Sequence, residues 1–197
     1  MGKQDVSRTV AIALIALSVG CTGEGLESEE PIGDQQQGLA GSLGMLLINE
    51  IGANEPGGQT SREFVEVVNH GTLRVNLGPS FTLSDTVGVR HVFASSLLQP
   101  GKAIVVFGNV DGIPPGLTNA VASSTHDLGL NNAGDTVSLK ISSTLLDQVA
   151  YPGSLSDSDG VSINVSPDGE NTEVYVKHST ISSLPSSPGK RANGADF

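Results

Sequence analysis

Sulfur and aromatic rings are scarce in this chain: one cysteine, two methionines, no tryptophan, two tyrosines and five phenylalanines in 197 residues. One cysteine excludes an internal disulfide and a zinc site built of thiolates. No apolar run approaches the 18 or so residues that a membrane-crossing helix needs. No window repeats its apolar residues every 3.6 positions, so long amphipathic helices are not expected. Basic residues are few as well, 10 Lys and Arg against 21 Asp and Glu, a net charge of −11. Within the region that reads as folded, only Lys190 and Arg191 are adjacent cations. Binding to nucleic acid rests on clustered cations at phosphates, so it is not expected here.

What the chain has instead is glycine and proline, 25 and 10 residues, together about 18% against a usual share of about 12%. Such a composition favours short strands joined by tight turns. An apolar content of 37% is enough for a packed core.

The first 20 residues read as a secretion signal. Lys3 and Arg8 make a positive start, and the apolar run from Val10 to Val19 follows. The only cysteine comes next. Leu17-Ser-Val-Gly-Cys21 resembles the bacterial lipobox, in which a small residue precedes a cysteine that is lipidated and becomes the new N-terminus. Ser18 departs from the Leu more often found there. Thr22, rather than Asp, follows the cysteine, which by the same resemblance implies an exported outer-membrane lipoprotein of the cell envelope. Several acyl chains would hold such a protein on a membrane stably. Residues 21–44 then read as the lipidated Cys21 and an acidic tether. Glu24, Glu27, Glu29, Glu30 and Asp34 face no Lys or Arg, and such a segment cannot bury enough apolar area to order itself.

Residues 45–197 read as one domain with eight basic against fifteen acidic residues. Strands are expected at 46–51, 63–68, 81–83, 103–107, 136–141, 145–151, 161–163 and 173–177. In 136–141 the alternation is clean: Val137, Leu139 and Ile141 point inward, and Thr136, Ser138 and Lys140 outward. The Ser142-Ser143-Thr144 link marks a hairpin. Eight short strands with turns between them predict an all-β sandwich.

Specific residues then point to a family. Leu47-Ile-Asn-Glu-Ile51, Glu63-Phe-Val-Glu-Val-Val-Asn69 and Phe81-Thr-Leu-Ser-Asp85 resemble the opening of the lamin tail domain. Leu98-Gln-Pro-Gly-Lys102, Leu130-Asn-Asn-Ala-Gly-Asp-Thr-Val-Ser-Leu139 and Leu146-Asp-Gln-Val-Ala-Tyr151 agree in order, as does Ser187-Pro-Gly-Lys-Arg-Ala-Asn193. The resemblance implies an immunoglobulin-like sandwich. Phe81 stands where the family usually has Trp, and Asn164 where Arg is common. In animals such domains sit on lamin filaments and bind chromatin-associated and membrane partners. In bacteria they occur on secreted and surface proteins, alone or beside nucleases and phosphatases.

The inventory of reactive groups is thin. His70, His91, His126 and His178 lie too far apart in sequence for a zinc motif and are expected at the surface or at strand ends. No Gly-x-Ser-x-Gly elbow and no phosphate-binding glycine loop occurs. Asp157-Ser-Asp159-Gly160 is the calcium candidate, since Asp157 and Asp159 could present oxygens to one hard cation, although Asp, Ser and Gly are also ordinary turn formers. Glu63 and Glu66 are expected to accept from loop amides or to face water at an edge rather than to act as acid and base. Asn131-Asn132-Ala-Gly134 reads as a tight turn.

The expected function is a non-catalytic, lipid-anchored binding or structural module, needing no cofactor unless calcium binds. Its partners would be the membrane, through Cys21, and a protein or glycan of the envelope or beyond. The alternative is a metal-dependent enzyme or accessory subunit of a secreted nuclease or phosphatase.

Overall fold

The computed structural model describes residues 7–8 and 46–197. The signal, Cys21 and the acidic tether lie outside the described residues, save Ser7–Arg8 (β1), a two-residue strand set against Val149 and Ala150.

Two large sheets face each other. Phe81–Ser84 (β5), Val89–Val92 (β6), Gly134–Ile141 (β10) and Thr144–Pro152 (β11) form one with β1, in the order β1-β11-β10-β5-β6. The other contains Leu46–Gly52 (β2), Phe64–Asn69 (β3), Ala103–Phe107 (β8), Ala120–Ala122 (β9), Ile163–Val165 (β12) and Tyr175–Lys177 (β13), in the order β13-β12-β2-β3-β8-β9. A two-stranded ribbon of Val75–Leu77 (β4) and Ser96–Leu98 (β7) adds Val75, Leu77 and Leu98 to the core. Only β8 and β9 pair in parallel among the described residues. The remaining regular pieces are short 3₁₀ turns, and no helix among the described residues is long and apolar enough to cross a membrane. The fold is an all-β, immunoglobulin-like sandwich.

Alternation builds the core between the sheets. Leu46, Ile48, Val65, Val67, Val106, Ile163 and Val165 come from one inner face, and Leu83, Val137, Leu139 and Val149 from the other. Each fully buried aliphatic side chain contributes about 1.5–3 kcal/mol. Val137 and Leu139 are buried as the alternation of 136–141 requires, and Ile141 packs against the cluster at its edge. The hairpin turns on Ser142 and Ser143, with Ser142 in the left-handed region at φ 52°.

The strand expectations hold for most of the long runs and shift at one. In place of a strand at 161–163, the pairing runs from Ile163 to Val165. The short strands β4, β6, β7 and β9 lie outside the expected set; each has three or four residues, too few for alternation to stand out.

A bulge in β2 decides which of its side chains reach the outer face. The register with β3 passes from Ile48 opposite Val67 to Glu50 opposite Glu66, so Asn49 is the extra residue. Ile48 and Ile51 therefore both face the core, while Asn49 and Glu50 both turn to the outer face. The N–H of Ile48 donates across the sandwich to Oδ2 of the fully buried Asp147 at 2.7 Å.

Candidate functional site

The outer face of the six-stranded sheet carries a cluster of buried, hydrogen-bonded polar side chains. Glu50 and Glu66 are cross-strand partners, and both are 0% exposed. Ser162 Oγ, just before β12, donates to Glu50 Oε1. The Asn49 amide bridges two acids, donating to Glu66 Oε1 at 2.8 Å and to Asp168 Oδ1 at 3.0 Å. Its own oxygen accepts from Gly169 N at 2.8 Å. Asn164, paired with Glu50 on β12, donates to Asp168 Oδ1 at 3.2 Å. His178 opens the 3₁₀ turn after β13, is 0% exposed and sets Nδ1 3.4 Å from Glu50 Oε1.

A C-terminal strap, residues 185–192, closes over this cluster. Ser187 N donates to Glu50 Oε1 at 2.9 Å and its hydroxyl to Oε2 at 3.0 Å. Gly189 N donates to Glu66 Oε2 at 2.7 Å, and Ala192 N to Asp168 Oδ2 at 3.0 Å. Pro185 supplies its carbonyl to Ser162 N at 3.1 Å. Gly189 has to be glycine: φ is +81°, and a Cβ there would sit 2.6 Å from Leu117 Cδ1. Burial pushes the Glu50 carboxyl up to about 7, against the pull of its serine hydrogen bonds. Burial, with Glu50 beside it, pushes Glu66 well above the usual carboxylate range. Burial lowers His178.

At one end of the sandwich lies an open cleft of about 440 Å³ lined by Glu55, Glu63, Asp127, Asn131 and Asn132, among others. Glu63 immediately precedes β3 and is 4% exposed; its Oε2 accepts from Leu130 N at 3.1 Å. Burial raises it to about 7, and the charges of Asp127 and Glu55 push in the same direction. Such a lining accepts hydrogen bonds and favours donors or cations over anions.

The expected site residues are only partly brought together. Asp157 is exposed and pairs with Lys177 Nζ, while Ser158 Oγ donates to it at 2.7 Å. The Lys177 and Ser158 bonds hold its carboxyl below the usual range. Asp159 is exposed nearby, and among the described residues no group of three or more His, Cys, Asp or Glu side chains is arranged to hold a metal. Glu63 and Glu66 do accept loop amides, as expected, but β3 is central rather than an edge. Asn131 closes a turn by accepting from Gly134 N at 3.0 Å.

His178 is buried but directly follows β13, at a strand end as expected, whereas His91 is buried within β6. His91 stacks edge-on against Phe93 at 4.6 Å between ring centroids, and burial lowers it to about 4. Both belong to apolar or polar packing that their sequence neighbours do not announce. Nothing beside Glu50, Asp147 or Asp168 in the sequence marks their roles either.

A family model described as the lamin tail domain matches residues 40–153. This chain belongs to the lamin tail domain family. A comparison with curated proteins finds no match for it. The matched segment of this lamin tail domain holds Asn49, Glu50 and Glu66, whereas Asp168, His178 and the strap lie beyond it. Glu50, Glu66, Ser187 and Gly189 therefore share one physical role: they fasten residues 185–192 to the six-stranded sheet.

Proposed function

We propose that this lamin tail domain is a non-catalytic binding or structural module, lipid-anchored at Cys21 and displayed on the cell envelope by its acidic tether. One observation carries the non-catalytic part of the reading. The buried acids of the outer face all accept hydrogen bonds from the domain's own amides and hydroxyls, so their placement is accounted for by packing. Membership of a family with an immunoglobulin-like fold supports contact through loops and sheet edges. The lipobox resemblance at Cys21 supports the anchor. An envelope protein or glycan is the expected partner.

Expression of the full chain beside a Cys21→Ser variant tests the anchor. The native chain is expected in the membrane fraction, its N-terminal peptide heavier by its acyl chains, and the variant in the soluble fraction. A native chain that stays soluble overturns the anchor. Hydrolysis of phosphoesters or DNA by the purified chain, abolished by Glu63→Gln, overturns the non-catalytic reading in favour of a metal-dependent hydrolase.

A further inference from the structure

Three carboxylates fasten the strap, and each takes one of its backbone amides: Glu50 from Ser187, Glu66 from Gly189 and Asp168 from Ala192. Glu50 and Glu66 sit directly opposite on neighbouring strands and are fully buried, and one amide side chain joins Glu66 to Asp168. We propose that residues 185–192 form a proton-coupled strap, held closed while Glu50 and Glu66 share protons and loosened from the sheet as rising pH ionises them.

The charges around the acids are few. Ser162, just before β12, and Asn164 within it are neutral, the loop after β12 contributes Asp168, and the 3₁₀ turn His178. Glu170 faces His70 at 4.0 Å. The strap's own cations are engaged elsewhere: Lys190 Nζ lies 3.5 Å from Asp196, and the Arg191 guanidinium lies over the Phe197 ring. Three acids thus face one imidazole. Glu50 and Glu66 cannot both ionise without loss in so dry a site, and they titrate as a coupled pair.

The direction comes from linkage. An opened strap exposes Glu50 and Glu66 to water, where a glutamate titrates at about 4.5. The closed strap keeps protons on them up to about 7 at Glu50 and beyond the usual range at Glu66. Closure is therefore favoured below about 4.5 and weakens as pH climbs through 7. His178 works against this, because its lowered pKa penalises closure at acid pH. Two carboxylates outweigh one imidazole, so the net effect is opening toward alkaline pH. Opening would uncover the outer face of the six-stranded sheet around Glu50 and Glu66, which is sealed when the strap is closed.

Hydrogen exchange on the full chain between pH 5.5 and 8.5 tests this, each rate divided by the intrinsic rate at that pH. The amides of Ser187, Gly189 and Ala192 are expected to lose protection tenfold to a hundredfold relative to those of β3 and β8, since each unit of pKa shift is worth a factor of ten. Glu66→Gln keeps an acceptor for Gly189 N but removes the titration, and should flatten the profile; Glu50→Gln should do the same. Strap amides that track the core amides at every pH overturn the proposal, as does a pH dependence unchanged in both variants. The native ratio decides the matter even where a variant fails to fold.

Discussion

At the scale of single residues, Asp147 does the least conspicuous and most consequential work. Ile48 N–H lies in a core where an unpaired amide is costly. Asp147 reaches from the opposite sheet to accept that N–H at 2.7 Å, and accepts from Gln148 N at 2.9 Å with its other oxygen. The two sheets are thus tied through a hydrogen bond as well as through packing. Asp147→Ala leaves the Ile48 amide buried and unmet, and is expected to destabilise the chain by about 2–3 kcal/mol in urea titration. Asp147→Asn retains an acceptor and should lose less. Equal losses in the two variants would mean that volume, not the hydrogen bond, matters at this position.

At the scale of elements, the end of the chain is part of the fold. A chain stopped after residue 153, where the family match ends, would lose β12, β13 and the strap. Ile163, Val165 and Tyr175 would leave the core, and Glu50 and Glu66 would face water on an uncovered sheet. Such a chain is expected to give no cooperative thermal transition by circular dichroism, whereas one stopped after Asn193 should unfold sharply. A cooperative transition in the shorter chain would show that the strap and its strands are dispensable. The sequence shows much of this architecture and little of its wiring. The alternation of 136–141 and the Ser142-Ser143 turn are local, so the β10–β11 hairpin can be read directly. Glu50 cannot, because the one-residue bulge breaks the alternation that would mark it as outward. The partners of Glu63 and Glu66 are 67 and 123 residues away in sequence, beyond the reach of any spacing rule. Their role as acceptors of loop amides is legible from residue type; their burial in the middle of a sheet is not.

At the scale of the whole molecule, these placements set the pH at which the protein is most stable. Burial raises Glu50 and Glu63 to about 7 and Glu66 well above its ordinary value, so the folded chain holds protons that the unfolded chain releases above about 4.5. Their contribution is complete below 4.5 and is lost as pH rises through 7. His91, lowered to about 4, and His178, lowered as well, act in the opposite sense: the unfolded chain protonates them below about 6.5 while the folded chain does not. Between 4.5 and 6.5 the three acids are nearly offset by the two histidines, and above 6.5 the acids act alone. Below 4.5 the histidines act together with Asp85 and Asp157, whose hydrogen bonds hold their carboxyls low, and stability falls with acid. The urea midpoint is therefore expected to peak near pH 5 and to drop most steeply between about 6.5 and 7.5. Glu63→Gln isolates one of these groups, because its amide oxygen still accepts from Leu130 N. The variant should match the native chain at pH 5 and exceed it at pH 8 by on the order of 2–3 kcal/mol, the shift converted at 1.36 kcal/mol per unit. A native maximum at pH 8 or above, or a Glu63→Gln variant no more stable than the native chain there, would show that these carboxylates are already ionised in the folded state.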